Sequence, residues 1–154
     1  MFKWQQEPAS AERRLPLQDY DPELFFANQV INDACATYAL LSILMNRGEL
    51  ELGPELKNLR EFTLPLDSKD RGWAIGNSEI IRNAHNSFTR QDPFEIEYTK
   101  DPSKAEDAFH FISYVPFRGQ LYELDGLQKG PICYGECTEE NWLTLAREQI
   151  QQRI

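Results

Sequence analysis

The sequence predicts an α/β chain of the α+β type, with helices in its first half and a strand pair and a last helix in its second. Three observations carry this. Apolar residues recur at helical spacing in the runs that follow Asn32, Pro54 and Asn77. Two strand-like runs, 108–115 and 120–125, flank the turn Pro116-Phe117-Arg118-Gly119. An amphipathic run follows Thr138.

Taken in order, Met1 to Trp4 reads as the end of a strand. Gln5 to Pro22 is polar, contains three prolines and reads as an exposed loop. Asn32 or Asp33 is placed to cap a helix that runs through an Ala-rich apolar stretch to Gly48, a natural C′ residue. Pro54 opens a short helix with Leu56, Leu59 and Phe62 toward the core. Asp67 to Gly72 reads as a charged turn. Asn77 then caps a helix whose apolar face is Ile80, Ile81, Ala84, His85 and Phe88. Thr89 to Asp107, with two Asp-Pro pairs and many charges, reads as a long loop of the kind that is usually functional or disordered. After the strand pair, Thr138 caps the last helix, with Glu139 and Glu140 in its first turn and Trp142, Leu143, Ala146 and Ile150 on its apolar face.

At 154 residues the chain fits one domain with a real core, and nine Phe, six Tyr and three Trp exclude a disordered chain. Sixteen basic against 25 acidic residues give a net charge of −9, which argues against nucleic acid and anionic membrane surfaces as partners. Three cysteines without a C-x-x-C fit a reducing compartment, and no apolar run reaches spanning length; a soluble intracellular protein is expected.

Cys35 falls in the first turn of the first helix, where free N–H groups and the helix dipole favour a thiolate. Gln29, six residues earlier, sits in the turn entering the helix, where its amide can donate to an oxyanion. The alternative is a small buried hydrophobe. If Pro116–Gly119 is a four-residue loop, Val115 faces Gln120 and His110 lies opposite Asp125, with Cβ atoms about 5 Å apart. A carboxylate so placed holds the imidazole tautomer and stabilises the imidazolium; the alternative is a plain cross-strand polar pair. His85, the other histidine, reads as a satisfied core residue. Cys133 and Cys137 lack further zinc ligands, so no metal or cofactor is expected. The acidic clusters at Asp19–Glu23 and Glu106–Asp107 read as solvated loop charges.

Four stretches together resemble the ubiquitin C-terminal hydrolases, in particular the proteasome-associated subtype: Phe25-Phe26-Ala27-Asn28-Gln29-Val30-Ile31-Asn32-Asp33-Ala34-Cys35-Ala36-Thr37, His85-Asn86-Ser87-Phe88, Glu106-Asp107-Ala108-Phe109-His110-Phe111 and Leu121-Tyr122-Glu123-Leu124-Asp125-Gly126-Leu127. The resemblance implies a papain-like fold, a largely antiparallel sheet flanked by helices. It implies a thiol deubiquitinase with Cys35 as nucleophile, His110 as general base and acid, Asp125 as orienting carboxylate and Gln29 as oxyanion donor. Ubiquitin or its conjugates are the implied substrates, proteasome subunits the implied further partners, and cytoplasm and nucleus the implied location. Thr89–Asp107 matches the family's crossover loop. The family domain normally has a strand and helices ahead of Phe2-Lys3-Trp4, and the subtype a helical C-terminal extension, so an N-terminally incomplete catalytic domain is expected. Asp33 stands where the family usually has Asn, and a carboxylate there opposes thiolate formation. A truncated, catalytically weak ubiquitin-binding module is the alternative function.

Overall fold

A computed structural model describes residues 14–88 and 110–153. Among them are helices α1 (Cys35–Asn46), α2 (Gly53–Thr63), α3 (Ser68–Asn77) and α4 (Glu79–Phe88), strands β1 (Ser113–Phe117), β2 (Gln120–Leu124) and β3 (Ile132–Glu136), and helix α5 (Trp142–Gln151). The strands form an antiparallel sheet in the order β1-β2-β3. Segregated helices and an antiparallel sheet make this the expected α+β class.

The layers meet along Leu24 to Ala27, which are 0–3% exposed. Side chains alternate along an extended segment. Leu24 and Phe26 therefore enter the cluster on one sheet face with Val115, Tyr122 and Leu124. Phe25 and Ala27 enter the helical cluster with Ile31, Tyr38, Leu41, Met45, Ile75 and Ile81. A third cluster, Leu121, Cys137 and Ala146 with Trp142 and Leu145, joins α5 to the sheet.

A buried segment that is neither helix nor ladder strand still needs partners for its peptide groups, and here side chains supply several of them. Buried Asn46, the last residue of α1, accepts from Phe25 N and donates to Phe25 O, both at 2.8 Å. Arg71, 4% exposed, donates to the carbonyls of Leu24 (3.0 Å), Phe26 (3.4 Å), Pro22 (3.2 Å), Thr63 (3.2 Å) and Leu64 (2.6 Å). Its guanidinium also lies over the Phe25 ring. Burial lowers its pKa, the nearby Tyr20 opposing that shift.

Several expectations need correction. Asp67 to Gly72 is not a turn: Asp67 caps α3 by accepting from Asp70 N at 2.8 Å, and Arg71 and Gly72 face inward on that helix. Asn77 ends α3, and Ser78 Oγ instead meets Ile81 N at 3.4 Å. Phe62 and Phe88 are 67% and 88% exposed, because α2 and α4 bury a narrower stripe centred on Leu56, Leu59 and Ile81. The last helix begins at Trp142; Thr138 and Asn141 exchange side chain-to-backbone bonds across a preceding turn that holds Glu139 and Glu140. In α5, Leu145 rather than Leu143 joins the core. The polar loop is partly docked, with Leu17 N donating to Pro131 O at 2.8 Å. The first strand and the 89–107 loop lie outside the described residues.

The hairpin is tighter than expected. Arg118 (φ 47°) and Gly119 (φ 77°) form a two-residue loop, so Phe117 faces Gln120 and Ser113 faces Leu124. Two successive positive φ values match strand twist. Arg118 tolerates its conformation while its side chain pairs with Asp21 and Glu23, which are thus not merely solvated charges. β3, absent from the sequence reading, pairs with β2 through a bulge at which Tyr134 is the extra residue. Beneath it, buried Glu123 accepts from Tyr114 OH (2.9 Å) and Tyr134 OH (2.8 Å) and pairs with Arg153 (2.7 Å), tying the end of α5 to the sheet. Burial, reinforced by the Glu123 charge, pushes the Tyr114 hydroxyl far above its usual range.

Arg71→Lys should destabilise by about 3–5 kcal/mol, since an ammonium cannot span acceptors arranged for a planar fork and leaves buried carbonyls unpaired. Urea midpoints check this; a shift equivalent to a surface substitution would remove Arg71 as the organiser of the segment.

Candidate active site

The segment Leu24–Ala27 continues directly into the candidate site. Asn28 N donates to Ser68 O and Gln29 N to Gly126 O, both at 2.8 Å, so the chain is held between the start of α3 and the loop after β2. Gln29 Nε2 donates to Ile31 O at 3.0 Å, folding the carboxamide over its own turn. Asp33 adopts φ 61°, and Ala34 takes the cap position with no side-chain cap bond. Neither Asn32 nor Asp33 caps α1 as expected, because the left-handed bend at Asp33 turns the chain into the helix one residue later. Cys35 is nonetheless the first residue of α1, half-buried at the positive end of the helix dipole.

His110 Nε2 lies 2.7 Å from Asp125 Oδ1. The expected contact is present, but not by the expected register. With Ser113 opposite Leu124, His110 precedes β1 and Asp125 follows β2, so the pair forms where the two strands have ended. Asp125 Oδ1 also accepts from Leu127 N at 2.9 Å, which fixes the carboxylate within its own turn. A carboxylate only accepts, so Nε2 carries a proton, and in the neutral ring Nδ1 keeps the lone pair. Ser113 Oγ donates to Ala39 O at 3.1 Å, tying the start of β1 to α1 one turn beyond Cys35.

His85 Nδ1 is 2.7 Å from Thr37 Oγ1, so this histidine is half-buried against the first turn of α1 rather than within the core. Burial lowers its pKa. Cys133 Sγ donates to Gln120 Oε1 at 3.3 Å and Cys137 is buried; among the described residues no three His, Cys, Asp or Glu side chains gather as a metal site. No helix among them is long and apolar enough to cross a membrane. Sequence reasoning missed Gly126. A Cβ there would stand 2.9 Å from Gln29 N and 3.0 Å from Gln29 Cβ, so only glycine lets the Asp125 loop lie flush on the Gln29 segment.

A family model described as ubiquitin carboxyl-terminal hydrolase, family 1, matches residues 1–154. The chain belongs to this family. It is 51% identical over 154 residues to ubiquitin carboxyl-terminal hydrolase isozyme L5 of Dictyostelium discoideum, covering 100% of this chain and 43% of that protein. It is 43% identical over 155 residues to ubiquitin carboxyl-terminal hydrolase 2 of Schizosaccharomyces pombe, covering 100% of this chain and 51% of that one. The chain thus spans about half the length of these curated relatives. The UCH37 catalytic domain of Trichinella spiralis, solved bound to ubiquitin vinyl methyl ester, is similar at a TM-score of 0.70 and 38% identity, over 84% of this chain and 56% of that one. These neighbours agree with the papain-like class.

Two outcomes are expected of this member of the family. Gly126→Ala should wedge Gln29 from the Asp125 loop, with its greatest effect on the backbone bond Gln29 N–Gly126 O, read as loss of amide exchange protection at Gln29. For His85, the unfolded state binds more protons than the folded one, so stability should fall as pH drops through the unfolded histidine value of about 6.5. In urea titrations at stepped pH, His85→Gln should show a shallower acid decline than the parent chain; parallel declines would exclude His85 as a contributor.

Proposed function

We propose that the chain provides the catalytic centre of a cysteine-type deubiquitinase that cleaves the bond after the C-terminal Gly of ubiquitin. The His110–Asp125 bond carries the reading: at 2.7 Å it commits Nε2 to the carboxylate and leaves Nδ1 as the base. Cys35, the first residue of α1, is the nucleophile.

In this reading Cys35 gives its thiol proton to His110 Nδ1, and the sulfur attacks the Gly carbonyl carbon. The carbonyl oxygen becomes an oxyanion, stabilised by N–H donors of Gln29 and the first turn of α1. Collapse breaks the bond to the leaving amine, which takes the proton from His110 and departs. A thioester remains on Cys35. His110 then takes a proton from a water that attacks the thioester. The C–S bond breaks, ubiquitin leaves with a free C-terminal carboxyl group, and His110 returns the proton to the Cys35 sulfur. Asp125 keeps the ring oriented and stabilises its cationic form throughout. The Gln29 carboxamide has two N–H bonds, so the Ile31 contact leaves one for the oxyanion.

Incubation with ubiquitin vinyl methyl ester tests this. The chain should gain a covalent adduct on Cys35, read by mass spectrometry, and Cys35→Ala should gain none. On a ubiquitin C-terminal reporter, His110→Ala should lose roughly 10³-fold or more of turnover, and Asp125→Asn should lose less than Cys35→Ala. Ubiquitin binding without an adduct would replace the enzyme reading with that of a binding module. Neither binding nor adduct would remove both.

A further inference from the structure

Asn28 joins the two halves of the proposed site through one carboxamide. Its Nδ2 donates to Gln128 O at 2.8 Å and to Gly126 O at 3.3 Å, both in the loop that begins with Asp125. Its Oδ1 accepts from Ser68 Oγ at 2.7 Å, at the start of α3. The backbone on either side is equally constrained. Asn28 N donates to Ser68 O, and Gln29 N donates to the same Gly126 carbonyl that Asn28 Nδ2 reaches. Asn28 O lies so close to Gly72 that a Cβ on that glycine would stand 2.0 Å away. The residue therefore cannot slide toward α3, and its side chain draws the Asp125 loop onto it.

Two further bonds extend this clamp to the reacting groups. Gln128 N donates to Asp125 O at 2.9 Å and Leu127 N to Asp125 Oδ1 at 2.9 Å, so holding the carbonyls of residues 126 and 128 also holds the carboxylate that orients His110. On the other side, Gln29 is covalently next to Asn28, so the same clamp sets where its side chain starts. We infer that Asn28 is a positioning residue, which fixes the separation between the Gln29 oxyanion donor and the His110–Asp125 pair. This rests on the proposed hydrolase reading, and it assigns Asn28 no contact with substrate.

Two substitutions separate positioning from bulk. Asn28→Ala deletes the clamp. Asn28→Asp keeps its shape and the Ser68 bond but turns an oxygen toward two carbonyls, replacing attraction by repulsion. Both should lower kcat on a ubiquitin reporter by about 100-fold with KM little changed, the scale of a misplacement near 1 Å. Both should also speed amide exchange at Gln29 and Leu127 by roughly tenfold or more, as local bonds open more often. Ile75→Val, a small cavity in the helical core, should leave kcat and both exchange rates at parental values. Near-parental kcat and exchange in Asn28→Asp would show that the residue only fills space and would overturn the inference. So would a loss confined to KM, or an equal fall in kcat in Ile75→Val. If the parent chain itself lacks turnover, the hydrolase reading fails. The exchange rates still decide whether Asn28 holds the loop.

Discussion

A cation buried among carbonyls organises this molecule. Arg71 sits on α3, yet its five contacts go to backbone oxygens at Pro22, Leu24, Phe26, Thr63 and Leu64, and none of these is a carboxylate. Removing a guanidinium from water is favourable only where its N–H groups are well satisfied. The segment Leu24–Ala27 has the matching need, since it lies between two apolar clusters and, among the described residues, has no ladder partner. Cation and segment satisfy one another, and Asn46 completes the arrangement from α1. Because the segment supplies side chains to both clusters, displacing it would open the helical layer and the sheet layer together.

From that segment the site follows with little freedom. Three residues after Phe25 the chain reaches Asn28, then Gln29, and ten residues after Phe25 it reaches Cys35. The His110–Asp125 pair approaches from the far end of the strand pair, held by backbone bonds within its own turn. The two halves meet at peptide groups and at Gly126, where the absence of a side chain matters more than any contact one would make. Side chains proposed to do chemistry thus rest on backbone and on one carboxamide, which tolerate less error than an apolar surface would.

The sequence is informative where chemistry and periodicity coincide. Cys35 at a helix start, the turn at Gly119 and the α+β order are all legible. The His110–Asp125 contact is legible too, although the register behind it is not: a four-residue loop and the observed two-residue loop differ by two residues in pairing, and the bond survives because both residues lie beyond the strand ends. Asp67 to Gly72 misleads because a charge-rich stretch with a glycine resembles a turn, and nothing local reveals that Arg71 points inward. Apolar periodicity overstates burial at Phe62, Phe88 and Leu143, since a stripe on a helix says which face is apolar and not how much of it is covered. β3 escapes because Pro131 precedes it and Gly135 interrupts it, both signals that argue against a strand.

The clamp on the Asp125 loop joins residues separated by 98 and 100 positions. On a ribosome, therefore, the helix bearing the proposed nucleophile is made long before the groups that would orient its base. Loop closure over such a span carries an entropic penalty that only the completed second half can offset. Helices α2, α3 and α4 contact their neighbours in sequence, whereas α1 packs chiefly on β1, which follows far along the chain. A nascent chain would thus acquire the proposed centre only once the hairpin and its following turn have emerged. The proposed centre would therefore be assembled only at the last stage of folding.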